Sequence, residues 1–138
     1  MIRLFLDSDV ILDVLIKREH YIPAAELMTD LINKKYVGYT SPIVISNIHY
    51  IMSKYENSSK SIQNIKKLRM MLSILPIDEK TIDEALSLNF KDFEDSIQYV
   101  TAKNNKMDFI ITRNKNDYKK SKITVLNAKE FMELSVNI

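Results

Sequence analysis

The chain has 138 residues, 46% hydrophobic and 28% charged, with 20 Lys and Arg against 18 Asp and Glu, two His, one Gly, and neither Cys nor Trp. That length suits one domain over residues 1–138, able to bury about two-thirds of its unfolded surface. The missing cysteines exclude thiolate catalysis, disulfides and Cys-ligated metal centres, and the single Gly38 excludes phosphate-cradling glycine loops; His20 and His49 are too few for a three-histidine zinc site, so a metal, if used, would sit mostly on carboxylate and amide oxygens, which suit hard ions such as Mg²⁺ or Mn²⁺.

The first apolar run is broken by Arg3 and ends at Leu6, too short for a signal peptide or a membrane span. The expectation is a soluble, cytoplasmic protein with no membrane partner. Ile2–Leu6 predicts a strand and Ser8–Lys17 a helix, with Val10, Ile11, Val14 and Leu15 at helical spacing. Pro23 suits the first turn of a helix reaching about Lys34, with Ala24, Leu27, Met28, Leu31 and Ile32 on one face. Tyr36–Thr40 predicts a second strand. Ser41 and Pro42 then cap and open a helix running through Ile45, Ile48 and Met52 to about Tyr55.

A break at Asn57-Ser58-Ser59 precedes a helix over Lys60–Met71 and a strand over Ser73–Leu75 closed by Pro76. Helices follow at Glu79–Leu88 and Phe93–Asn104, then an apolar strand Asp108–Thr112, a polar loop or short helix Asn114–Lys120, and a strand Ile123–Leu126. Asn127 caps a last helix carrying Phe131 and Leu134. This alternation predicts an α/β fold, a parallel sheet of about five strands flanked by helices on both faces, with ligands bound beyond the carboxyl ends of the strands.

Acids just after strands are therefore the ones to weigh. Asp7 follows the first strand, Asn114 and Asp117 follow the late one, and Asp92, Glu94 and Asp95 open the helix before it. If those two strands are neighbours, the groups converge on one rim, where a divalent cation would offset their repulsion, activate water and steady the charge on a phosphodiester. Asp7 or Ser8 could instead cap the first helix, and Asp92, Glu94 and Asp95 could complement a helix dipole. Asp9 is open between orienting a ligand and enriching the first turn in negative charge. Asp13 reads as structural, with Lys17 four residues on as its ion-pair partner. His49 and the tyrosines read as packing.

Charge is uneven. Asp78 to Asp95 holds seven acids and two lysines, whereas Lys103 to Lys122 holds seven cations against Asp108 and Asp117. Arg113, Lys115, Lys119 and Lys120 are the cations placed to hold a polyanion beside the acidic rim.

Four stretches carry a family resemblance: Leu4-Phe5-Leu6-Asp7-Ser8-Asp9-Val10, Thr40-Ser41-Pro42 through Asn47, Phe90-Lys91-Asp92-Phe93-Glu94-Asp95 through Gln98, and Ile110-Ile111-Thr112-Arg113-Asn114 through Tyr118. In this order they resemble the motifs of PIN-domain ribonucleases. The resemblance implies a Rossmann-like PIN fold, Mg²⁺- or Mn²⁺-dependent RNA cleavage and, for chains of this size, the toxin of a VapC-like pair, often dimeric and inhibited by a small antitoxin protein. It also implies that Asp7 and Asp95 are metal-binding acids supported by hydrogen bonds from Ser8 and Thr112. Asn47 stands where many members carry Glu, Asn114 where many carry Asp, and Asp9 where Asn is common, so Asp117, Glu94 or Asp92 would compensate. A non-catalytic RNA-binding module on the same fold is the alternative that the two amides support. Haloacid-dehalogenase-like phosphatases, which also open on Asp-x-Asp, would use Asp7 and Asp9, but the Gly-Thr that follows in them is missing here.

Overall fold

Leu4, Phe5 and Leu6 have no exposed surface. A strand with no solvent-facing side chain belongs in the middle of a sheet covered on both faces, and full burial of each such residue is worth about 1.5–3 kcal/mol. The computed structural model, which describes residues 1–137, places this strand there. Five strands, β1 (Arg3–Leu6), β2 (Val37–Thr40), β3 (Leu72–Ile74), β4 (Phe109–Ile111) and β5 (Thr124–Leu126), form one parallel sheet in the order β3-β2-β1-β4-β5. The chain builds outward from β1 to β3, then crosses back to place β4 on the other side of β1. That reversal opens a crevice at the carboxyl ends of β1 and β4.

Seven helices among the described residues flank the sheet: α1 (Ser8–Leu15), α2 (Tyr21–Ile32), α3 (Pro42–Tyr55), α4 (Ser58–Met71), α5 (Glu79–Leu86), α6 (Phe93–Asn104) and α7 (Ala128–Ser135). A 3₁₀ turn, Lys115–Tyr118, follows β4. None of these helices is long and apolar enough to cross a membrane. Two buried polar links, one between helices and one between strands, hold the elements around the crevice. The Ser41 hydroxyl, which caps α3, donates to Gln98 Oε1 of α6 at 2.7 Å, and the Thr40 hydroxyl donates to the Leu6 carbonyl at 2.9 Å.

Several boundaries differ from the sequence reading, each for a local reason. Asn57 does not break the chain for three residues; its side chain accepts from the Lys60 amide and caps α4, which starts at Ser58. β3 begins directly at Leu72, because Leu72 pairs with Gly38, and Leu75 lies outside it. α5 ends at Leu86, where the Ser87 hydroxyl turns back to the Glu84 carbonyl. In α3 the buried face is Val44, Ile48 and Met52, with Ile45 at its edge. The partner of Asp13 is not Lys17, which lies past the end of α1 with φ at 48°. Asp13 instead pairs with Arg113 Nε at 3.0 Å and with Arg18 at 4.0 Å.

The single glycine is not at a turn. Lys17, Lys34 and Lys106 occupy the left-handed positions after α1, α2 and α6 where glycine would be cheaper by about 1 kcal/mol. Gly38 sits in β2 because a Cβ there would lie 2.7 Å from Leu72 Cδ2 and 3.0 Å from Leu31 Cδ1, both core side chains. Gly38→Ala is expected to destabilise the fold by about 1–3 kcal/mol despite the strand-entropy gain of roughly 0.5–1 kcal/mol, measured as a lower urea midpoint at unchanged slope. An unchanged or raised midpoint would show that Leu31 and Leu72 yield without cost.

Candidate active site

The β1 and β4 ladder runs on past the end of β1, since the Asp7 amide donates to the Ile111 carbonyl at 3.0 Å. The carboxyl group of Asp7 is thereby delivered to the crevice floor. It is also the N-cap of α1, its Oδ1 accepting from the Ser8 amide at 2.8 Å. Capping and a site role, alternatives at the level of sequence, coincide in one side chain. Its other oxygen, Oδ2, accepts from the Thr112 hydroxyl and the Tyr118 hydroxyl, each at 3.1 Å.

Six carboxylates line a cavity of about 270 Å³ here: Asp7, Asp9, Asp92, Glu94, Asp95 and Asp117. Ser8, Asn47 and Asn114 complete the expected set. α6 presents Asp95 in its first turn, where the Asp92 side chain caps the helix by accepting from the Asp95 amide at 3.2 Å. Asn47, from the second turn of α3, donates through Nδ2 to Glu94 Oε1 and closes one side of the cavity. Thr112 is fully buried and also lies 3.3 Å from Asp9 Oδ2, which accepts from the Arg113 amide at 3.0 Å. One oxygen of the second acid of Asp-x-Asp is thus tied to the end of β4.

One group of the site has no signature in the sequence. Tyr118, 2% exposed, places its hydroxyl between Asp7 Oδ2 and, at 3.4 Å, Asp95 Oδ1. Its single proton serves one carboxylate at a time, so a proton held by Asp95 would complete the chain Asp95 to Tyr118 to Asp7. The one signal for it is an aromatic directly after Asp117, which the hydrophobic pattern reads as filler.

The electrostatics follow from burial first and from crowding of like charge second. Burial first, and then the charge of Asp9, push the Asp7 carboxyl up to about 6. Burial, followed by Asp7, Asp92 and Asp117, pushes Asp95 up to about 7. Burial also raises Asp9. Arg18 is the one cationic side chain among the described residues lining the cavity, and its ion pair is with Asp13. Asp9 Oδ1 is buried with no hydrogen-bond partner.

An uncompensated carboxylate group of this kind, with an orphaned buried oxygen, fits a divalent cation. Among the described residues no three His, Cys, Asp or Glu side chains are grouped so as to hold a metal ion by themselves. A Mg²⁺-type ion takes one or two carboxylates and keeps waters. The expected RNA-binding cations divide. Arg113 is engaged by Asp13, and Lys115 reaches both oxygens of Glu130 at 2.9 and 2.8 Å, whereas Lys119 and Lys120 line a separate cleft.

The raised carboxyls set a pH dependence of stability. Between the ordinary value of 3.8 and about 7, the folded state holds protons that the unfolded chain has released. The stability they contribute is complete below 3.8 and lost as pH rises to about 7. In EDTA, the melting temperature is expected to fall between about pH 5 and about pH 8. Asp95→Asn should flatten this fall, and Tyr118→Phe, which removes a donor that lowers both pKa values, should steepen it. Identical profiles for all three proteins would contradict the assignment.

A model of the PIN domain family matches residues 3–116. Ribonuclease VapC1 of Aquifex aeolicus (strain VF5) is 31% identical over 137 residues, which span 95% of this chain and 94% of that protein. VapBC2 from Rickettsia felis, solved bound to a DNA fragment from its promoter, shares the fold with a TM-score of 0.69 at 15% identity, over 91% of this chain and 98% of that one. A toxin–antitoxin complex from Klebsiella pneumoniae does so with a TM-score of 0.70 at 17% identity, over 91% and 97%. With the five-stranded parallel sheet in place and the acids gathered where its strand order reverses, the chain belongs to the PIN-domain family.

Proposed function

We propose that residues 1–138 form one PIN domain that acts as a cytoplasmic, Mg²⁺- or Mn²⁺-dependent endoribonuclease, the toxin of a type II toxin–antitoxin pair. The observation that carries this reading is the uncompensated pair of buried Asp7 and half-buried Asp95 at the switch point of the sheet. The likeness to Ribonuclease VapC1 supports RNA as the substrate.

Asp7 and Asp95 would hold the ion, with the side-chain oxygens of Asn114 and Asp117 at the rim. A bound Mg²⁺ or Mn²⁺ supplies positive charge for the phosphodiester as it is attacked by water. The protein groups do the rest. Thr112 and Tyr118 orient Asp7 Oδ2, Ser8 fixes Oδ1, and Asn47 restrains Glu94. Among the described residues no hydrogen bond or ion pair engages the Asp117 carboxylate, which leaves its oxygens free to accept a proton from the attacking water.

The fold neighbours that are toxin–antitoxin complexes support a small antitoxin as partner. An apolar cleft of about 320 Å³ between α1, α2 and α4, lined by Ile11, Leu15, Met28, Leu68 and Met71, offers such a partner a place to bury an apolar face. The homodimer implied by the family resemblance belongs to the same proposal.

The test is cleavage of single-stranded RNA by purified protein in Mg²⁺ or Mn²⁺. Asp7→Asn and Asp95→Asn are each expected to lower kcat by roughly a hundredfold or more while retaining the fold, and EDTA to abolish activity. Undiminished cleavage by either variant would overturn the site. RNA binding by the wild type without cleavage in either metal would favour the non-catalytic module.

A further inference from the structure

Beside the acidic cavity lies a second cleft of about 490 Å³, and Asp117 lines both. One wall is the α5–α6 connection, Asn89, Phe90 and Lys91; the other is the stretch through Asn116, Lys119 and Lys120. Lys120 Nζ donates to the Asn89 carbonyl at 2.7 Å and pins the walls together. Phe90 is stacked on Tyr99, with centroids 5.2 Å apart and planes at 23°, and meets Tyr118 edge-on at 6.3 Å. The cleft is thereby built on the same aromatic group that carries the Tyr118 hydroxyl to Asp7 and Asp95. Its volume falls in the range of pockets that enclose small organic ligands, about 300–1,000 Å³.

Charge pairing distinguishes this side of the site from the others. Arg113 is spent on Asp13, Lys115 on Glu130 and Lys103 on Glu84, and Arg18 lies 4.0 Å from the other Asp13 oxygen. Among the described residues Lys91, Lys119 and Lys120 form no ion pair; Lys120 bonds only a neutral carbonyl, so its charge stays uncompensated. A polyanion crossing the acidic cavity would be repelled by six carboxylates there and would meet net positive charge past Asp117.

We infer that this cleft is a nucleotide subsite of the ribonuclease, in which Lys91, Lys119 and Lys120 hold the backbone phosphates of single-stranded RNA next to the cleaved bond. The inference rests on the ribonuclease reading and adds to it the path of the strand. Neither Lys91 nor the Phe90 wall stands out as a phosphate site in the sequence, because they lie 28 residues or more from Lys119 and inside an acidic segment.

The experiment compares Lys91→Gln/Lys119→Gln/Lys120→Gln with Lys60→Gln/Lys66→Gln/Lys67→Gln, which removes the same charge from α4. Binding of a short fluorescein-labelled single-stranded RNA is followed by anisotropy across a salt series, in an Asp95→Asn background, and KM is measured in the active background. Melting curves establish that both triple variants are folded. The cleft variant is expected to weaken binding about tenfold or more and to reduce the salt slope by about 2, at about 0.7 for each phosphate that is no longer neutralised. The α4 variant should change binding less than about twofold. Equal effects of the two triples, with the wild type still cleaving RNA, would overturn the cleft and leave the ribonuclease standing. A wild type that neither binds nor cleaves RNA would overturn the ribonuclease reading and the cleft with it.

Discussion

The structure depends on holding a carboxyl group, Asp7, at the end of its most buried strand. Both oxygens of that group are engaged: the Ser8 amide on one, Thr112 and Tyr118 on the other. These bonds lower the cost of ionisation, yet burial and the neighbouring Asp9 still win and the pKa rises to about 6. Replacing the three hydrogen-bond donors by a fully compensating partner such as an arginine would relieve the repulsion and also abolish any reason for an ion to enter. The arginine that follows Thr112, Arg113, is instead held by Asp13 of α1.

The remainder of the fold serves to bring other acids to that point. Strand order places β4 beside β1, which carries Thr112 and then the 3₁₀ turn with Asp117 and Tyr118 over the crevice. The link between Ser41 and Gln98 ties the start of α3 to the middle of α6, so Asn47 and Glu94 meet and Asp95 faces Asp7. Each of these contacts joins residues far apart in the chain. Breaking one would move a carboxylate, and the burial and crowding that raise Asp95 would relax.

Much of this is legible in the sequence because it follows from alternation and strand ends. The parallel sheet, the caps at Ser41 and Asn127, and the presence of Asp7, Asp9, Asp92, Glu94, Asp95, Asn114 and Asp117 around one cavity need only the βα pattern and the rule that ligands lie beyond carboxyl ends. What stays hidden involves pairings with no local signature. The Tyr118 hydroxyl reaches a carboxylate 111 residues away, and Arg113 finds Asp13 in α1, displacing the i,i+4 partner that helical spacing suggests. Lys115, Lys119 and Lys120 look alike as a basic run; only the fold shows that Glu130 neutralises the first and that the other two face a cleft.

The crowded carboxylates are proposed to hold a divalent cation, and proton release on binding measures this most directly. At a pH between their two values Asp95, pushed up to about 7, still mostly holds its proton while Asp7, at about 6, has mostly released its own, so an ion entering the site must displace the Asp95 proton. Calorimetric titration of Mn²⁺ into metal-free protein at a pH between the two, in buffers of different ionisation enthalpy, should show saturable binding with proton release in the wild type and neither in Asp95→Asn. Mn²⁺ binding that releases no protons, or that Asp95→Asn retains unchanged, would contradict the account.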